Sequence, residues 1–194
     1  DEPFSGLDAD RRVQVREDVR AILMGSGATA VFVTHDQEEA LYMGDRLAVM
    51  RRGKVEQIAS PDEVFQCPST RFVAEFMGQT DFLTGWVTAE GIQTEIGLLV
   101  QRVNALPGAR VDVAVRGDDI HLEPWRADIS GVPAVVTARD FKGPQNVYRV
   151  RLPSGQVVHS IQPHTCLFEA GARVRAVVDP HHDLACFAGG LSVT

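Results

Sequence analysis

Cysteine is scarce: Cys67, Cys166 and Cys186 are the three in 194 residues, and no two form a CxxC pair. An odd number without that spacing argues against a disulfide framework or a zinc site and leaves buried or incidental thiols. Long apolar runs are also missing. Nothing approaches the roughly 18 to 20 consecutive apolar residues a spanning helix needs, and the first residues carry neither a basic nor an apolar leader segment. The expectation is a soluble, cytosolic chain without direct membrane insertion. Positive charge is in deficit, with 19 Lys and Arg against 26 Asp and Glu and a net charge of −7. That balance gives no basic footprint for nucleic acid. What remains, 44% hydrophobic and 23% charged residues, is the composition of a folded globular protein. The sequence opens on Asp1-Glu2-Pro3 rather than methionine and is read as a fragment.

From about residue 8 to residue 78 helical and strand patterns alternate, an α/β signature. Asp8 caps an expected helix with Val15, Val19, Ile22 and Leu23 on one face, ended by Gly25-Ser26-Gly27. Ala28 to Thr34 is short, β-branched and apolar without alternation, as in a strand buried on both faces of a parallel sheet. His35 follows it. Asp36-Gln37-Glu38-Glu39 then supplies the acidic first turn of a second helix, which Gly44 stops. A hairpin is predicted from Arg46–Arg51 and Lys54–Ala59 around Arg52-Gly53. Ser60-Pro61-Asp62-Glu63 opens a short helix by a capping box, and after a break at Pro68 another helix runs to Met77.

Beyond Gly78 helical periodicity vanishes. Strands are predicted at 82–88, 98–103, 110–116, 134–141, 146–152, 156–161 and 173–178, with Pro153-Ser154-Gly155 at a tight turn. The spacing suggests a small barrel or a pair of intertwined β-modules. Gly-Ala-Arg-Val recurs at 108–111 and 171–174, a faint internal echo.

Asp1-Glu2-Pro3-Phe4-Ser5-Gly6-Leu7-Asp8 resembles the end of the Walker B motif and the D-loop of ABC-type ATPases. Val33-Thr34-His35-Asp36-Gln37-Glu38-Glu39-Ala40 looks like the switch-histidine region of the same family at a compatible distance. The resemblance implies that residues 1–78 are the C-terminal part of a P-loop nucleotide-binding domain. Residues 79–194 are similar to the all-β, oligonucleotide-binding-like TOBE domain of importer ATPases. Val113-Ala114-Val115-Arg116-Gly117-Asp118-Asp119-Ile120 matches a recurring TOBE segment, with Gly117 where the family usually has proline.

By this resemblance Asp1 holds Mg²⁺ through its water shell, Glu2 is the general base that polarises the attacking water, and His35 contacts the γ-phosphate of ATP. Ser5, Gly6, Leu7 and Asp8 face the opposite subunit of a nucleotide-sandwich homodimer, and Asp8 also caps its helix. Implied partners are a second ATPase subunit and transmembrane permeases, with the chain peripheral on the cytoplasmic face of the membrane. The four histidines His159, His164, His181 and His182, with Asp179 and Asp183, have no spacing that fixes a metal, and Trp86 and Trp125 read as core or interface packing. The GxxxxGK[ST] loop, the glutamine loop and the Leu-Ser-Gly-Gly segment do not occur in these residues, so the chain alone is expected to be inactive. The rival reading is a ligand- or partner-sensing module with a vestigial ATPase remnant. Cargo leans towards iron(III) or polyamine.

Overall fold

The computed structural model describes residues 1–126 and 132–194, which fall into two compact units, Asp1–Cys67 and Pro68–Thr194. In the first unit, helix α1 spans Ala9–Ser26, and the Asp8 carboxylate accepts the Arg11 amide at 3.0 Å as its N-cap. Gly27, at φ 64°, takes the left-handed conformation that releases the chain. Helix α2, Gln37–Met43, is capped by Asp36, which accepts the Glu39 amide at 3.1 Å. Strands β1 (Leu47–Arg51) and β2 (Lys54–Ala59) pair antiparallel. Their loop places both Arg52 (φ 49°) and Gly53 (φ 75°) left-handed, matching the twist of a two-residue hairpin. The expected capping box opens helix α3, Pro61–Gln66. Its Glu63 carboxyl is held below the usual range by the backbone and hydroxyl of Ser60.

The strand expected over residues 28–34 is not formed. The segment is extended but unpaired, with Val31 89% and Val33 57% exposed. A doubly buried parallel strand takes its burial from strands on both edges and helices on both faces. Here the amide of Glu2 bonds Val33 O at 2.7 Å, and the two sides are otherwise open among the described residues. On α1, Val15, Val19 and Leu23 are half-buried, as their spacing predicts, but Ile22 is 68% exposed. The described residues of this unit form no parallel sheet.

The second unit begins with helix α4, Arg71–Phe76, so the compact division falls at Cys67/Pro68, whereas helical periodicity in the sequence ends at Gly78. Strands β3 (Thr80–Val87), β4 (Ile92–Thr94), β5 (Gly97–Leu99), β6 (Arg110–Arg116) and β7 (Ile120–Pro124) follow. Then come β8 (Pro133–Phe141), β9 (Gln145–Arg151), β10 (Val157–Pro163), β11 (Arg173–Val178), β12 (Cys186–Ala188) and β13 (Leu191–Ser192). One sheet has the order β10-β9-β8-β11-β7 and the other β13-β12-β6-β3-β4-β5. Strands β4, β12 and β13 are too short to have carried a period in the sequence, and β7, with Ile120 and Leu122 buried, is not among the predicted strands. The strand expected at 98–103 stops at Leu99, because the chain turns at Val100 and the Gln101 side chain takes over the pairing. Its amide nitrogen donates to Leu184 O at 2.8 Å and its oxygen accepts the Leu184 amide at 2.9 Å.

Both sheets share one core, with Val111, Val113 and Val115 of β6 facing Tyr148, Val150, Val158, Val174 and Ala176. Ala114, on the opposite face of β6, clusters with Ala74 of α4 and with Phe187. The five-stranded sheet closes on itself at its two edges. Ile161 of β10 donates its amide to Gly117 O at 2.6 Å, and Gln162 Nε2 reaches Ile120 O at 3.0 Å, giving an oligonucleotide-binding-like barrel. A Cβ at Gly117 would lie 2.6 Å from Ile161 Cγ1, so a larger residue at this seam would have to displace the Ile161 side chain.

The Gly-Ala-Arg-Val echo has a structural counterpart. Gly108 donates to Val87 O and Gly171 to Val136 O, both at 2.8 Å, and the return bonds Val87 N to Ala109 O and Val136 N to Ala172 O repeat as well. Each echo thus lays a central strand, β6 or β11, antiparallel on the long strand β3 or β8 that opens its module. The following strands are exchanged: β7, which follows β6, pairs with β11, and β12, which follows β11, pairs with β6. The modules are intertwined.

Candidate functional site

In the first unit Glu2, Ser5, Arg12, Thr34, His35, Asp36 and Glu39 line a cleft of about 170 Å³. The chain enters it through a tight bend, in which Glu2 adopts φ 44° and its carbonyl accepts both the amide of Ser5, at 3.2 Å, and the Ser5 hydroxyl, at 3.1 Å. Phe4, 3% exposed, anchors the bend and stacks on Phe32 with ring centroids 6.3 Å apart. Across the cleft, Glu2 Oε1 lies 2.7 Å from His35 Nδ1. The Glu2 carboxylate, by this hydrogen bond and by its charge, raises the pKa of His35 above 6.5. The imidazole remains largely exposed.

The backbone around His35 is held by a short network. Thr34 Oγ1 donates to Glu39 Oε2 at 2.7 Å and accepts the Asp36 amide at 3.0 Å. Glu39 is 4% exposed, a buried carboxylate that takes that hydroxyl as its partner. Arg12 spans the other wall, with Nη2 donating to Leu7 O at 3.1 Å and Nη1 lying 3.6 Å from Asp36 Oδ2.

Of the residues singled out from the sequence, Glu2, His35 and Ser5 are brought together. Asp1 and Gly6 are exposed and outside the lining set, Leu7 enters through its carbonyl, and Asp8 caps α1 while pairing with Arg11 at 3.5 Å. The sequence did not single out Arg12, Thr34 or Glu39. Thr34 and Glu39 sit inside the quoted switch segment, but the i, i+5 pairing that joins them belongs to no regular period. Arg12 sits on α1, where a basic residue reads as a solvated one.

A second cleft, in the β-rich unit, lies between residues 98–101 and 178–183 and is lined by Asp179, His181, His182 and Asp183 among others. His182 Nε2 lies 3.4 Å from Asp119 Oδ1, and burial raises the pKa of the Asp119 carboxyl. Among the described residues no three His, Cys, Asp or Glu side chains are grouped to hold a metal. Trp86 is 52% exposed on β3 rather than packed in the core, and Trp125 is half-buried. Cys67 is exposed, while Cys186 is buried and its thiol is pushed up to about 12 by that burial.

The TOBE domain family model matches residues 113–185. The spermidine/putrescine import ATP-binding protein PotA 1 of Pseudomonas aeruginosa is 37% identical over 170 residues, covering 81% of this chain and 45% of its own length. The sulfate/thiosulfate import ATP-binding protein CysA of Xylella fastidiosa is 38% identical over 185 residues, covering 94% of this chain and 51% of its own. The chain is homologous to the ATP-binding subunits of ABC importers. It spans about half the length of the curated relatives it matches.

The TOBE match begins at Val113, where the recurring segment was read from the sequence, and runs from β6 to the end of the loop before β12. In this importer-subunit homologue the match covers part of each intertwined module and leaves β3, β4, β5, β12 and β13 outside it. A solved structure of the cytoplasmic molybdate-binding protein ModG, with molybdate bound, aligns with 55% of this chain and 94% of its own, at 15% identity and a TM-score of 0.43. Among the described residues no helix is long and apolar enough to cross a membrane.

Proposed function

We propose that residues 1–78 are the C-terminal part of an α/β ATPase domain, and that the protein hydrolyses ATP to energise import through membrane permeases. The observation that carries this reading is the 2.7 Å contact between Glu2 and His35, which joins two segments 33 positions apart in one cleft. In this reading the Glu2 carboxylate takes a proton from a water that attacks the γ-phosphorus, as the bond to the ADP oxygen breaks. His35, held by the Thr34, Asp36 and Glu39 network, donates a hydrogen bond to a γ-phosphate oxygen. Asp1 and Glu2 are hard oxygen donors suited to Mg²⁺, which keeps most of its water and takes few protein ligands. When bound, that ion neutralises charge between the β- and γ-phosphates. Asp1 is assigned to it, through water.

Ser5, Gly6, Leu7 and Asp8 are assigned to the face that meets a second copy of the subunit; Ser5, Gly6 and Asp8 are exposed and Leu7 is half-buried. The working site is then at the cytoplasmic face of the membrane, where the permeases hold the subunit. The named relatives import spermidine and putrescine or sulfate and thiosulfate, which supports polyamine or oxyanion cargo; the lean towards iron(III) has no counterpart in them.

The test is Mg²⁺-dependent ATP hydrolysis by the full-length protein, its Glu2→Gln variant and the 194-residue chain. Glu2→Gln is expected to bind ATP and turn over at least about tenfold more slowly. The 194-residue chain, which carries no phosphate-cradling sequence, is expected to show little turnover. Wild-type rates from Glu2→Gln in a folded, active protein would remove the assignment and leave the TOBE domain's ligand binding as the activity to pursue.

A further inference from the structure

Resting on the ATPase reading above, we propose that Arg12 is a positioning residue that couples the Ser5–Asp8 loop to His35. Its guanidinium sits between two segments that regular secondary structure does not connect. One nitrogen donates to Leu7 O at 3.1 Å, at the far end of the loop, and the other lies 3.6 Å from Asp36 Oδ2, in the residue after His35. The Asp36 carboxylate is divided: Oδ1 accepts the Glu39 amide as the cap of α2, and Oδ2 faces Arg12. A shift of Leu7 is thus carried through one rigid planar group to the residue whose amide is fixed on Thr34 Oγ1.

The near end of the same loop is tied separately, by the Glu2 amide on Val33 O at 2.7 Å. Both ends of the 2–7 bend are therefore fastened to residues that flank His35, one by backbone and one by Arg12. The guanidinium Nε is itself buried and has no hydrogen-bond partner, a cost that a purely solvated arginine would not bear. The pair with Asp36 is part-buried and, at 3.6 Å, longer than a hydrogen bond, so its use lies in geometry more than in stability. When a partner surface moves the Ser5–Asp8 loop, His35 moves with it. A lysine at position 12 could keep the charge towards Asp36 but could not span both acceptors in one plane.

The experiment compares wild type, Arg12→Gln, Arg12→Lys, Asp36→Asn and Glu2→Gln in full-length protein by ATPase kinetics and thermal melting. Arg12→Gln is expected to lower kcat about fivefold or more while KM for ATP stays within about twofold, the pattern of lost transition-state geometry. Its Tm should stay within about 2 °C of wild type, and Arg12→Lys should recover part of the rate. Asp36→Asn keeps the helix cap, so it decides the matter should Arg12→Gln fail to fold. It is expected to lower kcat similarly, and a variant combining Arg12→Gln with Asp36→Asn to fall little further. Wild-type kcat in Asp36→Asn and in any folded Arg12→Gln, or effects that multiply in the double variant, would overturn the coupling. A slow Glu2→Gln alongside unaffected Arg12 and Asp36 variants sinks this inference alone. A Glu2→Gln enzyme as fast as wild type sinks the ATPase reading beneath it.

Discussion

Glu2 and His35 meet in water rather than in a buried site, and that decides how their pairing responds to pH. The hydrogen bond and charge of Glu2 raise the pKa of His35, and the nearby charges of Asp36 and Glu39 add to this. A raised histidine value means that the pair's contribution is complete below about pH 6.5 and fades as pH climbs through the folded-state value. Being exposed, the pair orders the cleft more than it stabilises the fold. In an NMR titration, His35 is expected to show a midpoint above about 6.5 that drops in Glu2→Gln without needing to reach the free value. An unmoved midpoint would place the two side chains apart. This contact could not be read from the sequence by spacing. Each residue was found through the motif around it, and only the folded bend at Glu2 aims one at the other.

At the scale of single elements, the punctuation was the most legible part of the sequence. Asp8, Asp36 and the Ser60–Glu63 box start helices where their side chains satisfy orphan amides, and Gly27 and Gly53 take the left-handed conformations their positions demand. These signals are local, so a local reading finds them. The failures have non-local causes. The run 28–34 has strand composition but lacks pairing along its length, and Gln101 ends β5 early by supplying a side chain where a backbone was expected. Gly117 shows the same dependence on distant residues: nothing in its neighbourhood of the sequence says that Ile161 closes against it. Gly117→Ala is expected to destabilise the β-rich unit by about 1–3 kcal/mol, the usual cost of overpacking a closed contact. Denaturant unfolding with an unchanged midpoint would mean that the β7–β10 seam can open to admit a methyl group.

The molecule as a whole shows why a tail that read only as short strands became a defined fold. Neither module closes alone, since β6 takes its outer neighbour from the second and β11 takes one of its own from the first. Amides of β6 and β11 are therefore expected to exchange hydrogen through a common unfolding event with one free energy. Two clearly different values would show the modules opening independently. The exchange also imposes an order in time. During synthesis on the ribosome β3 and β6 emerge early, yet the edge of β6 that β12 will cover must wait until the whole TOBE-matched stretch has been translated. Through that interval a nascent first module presents an unpaired strand edge to its surroundings, so slow translation of the second module lengthens the exposure and fast translation shortens it.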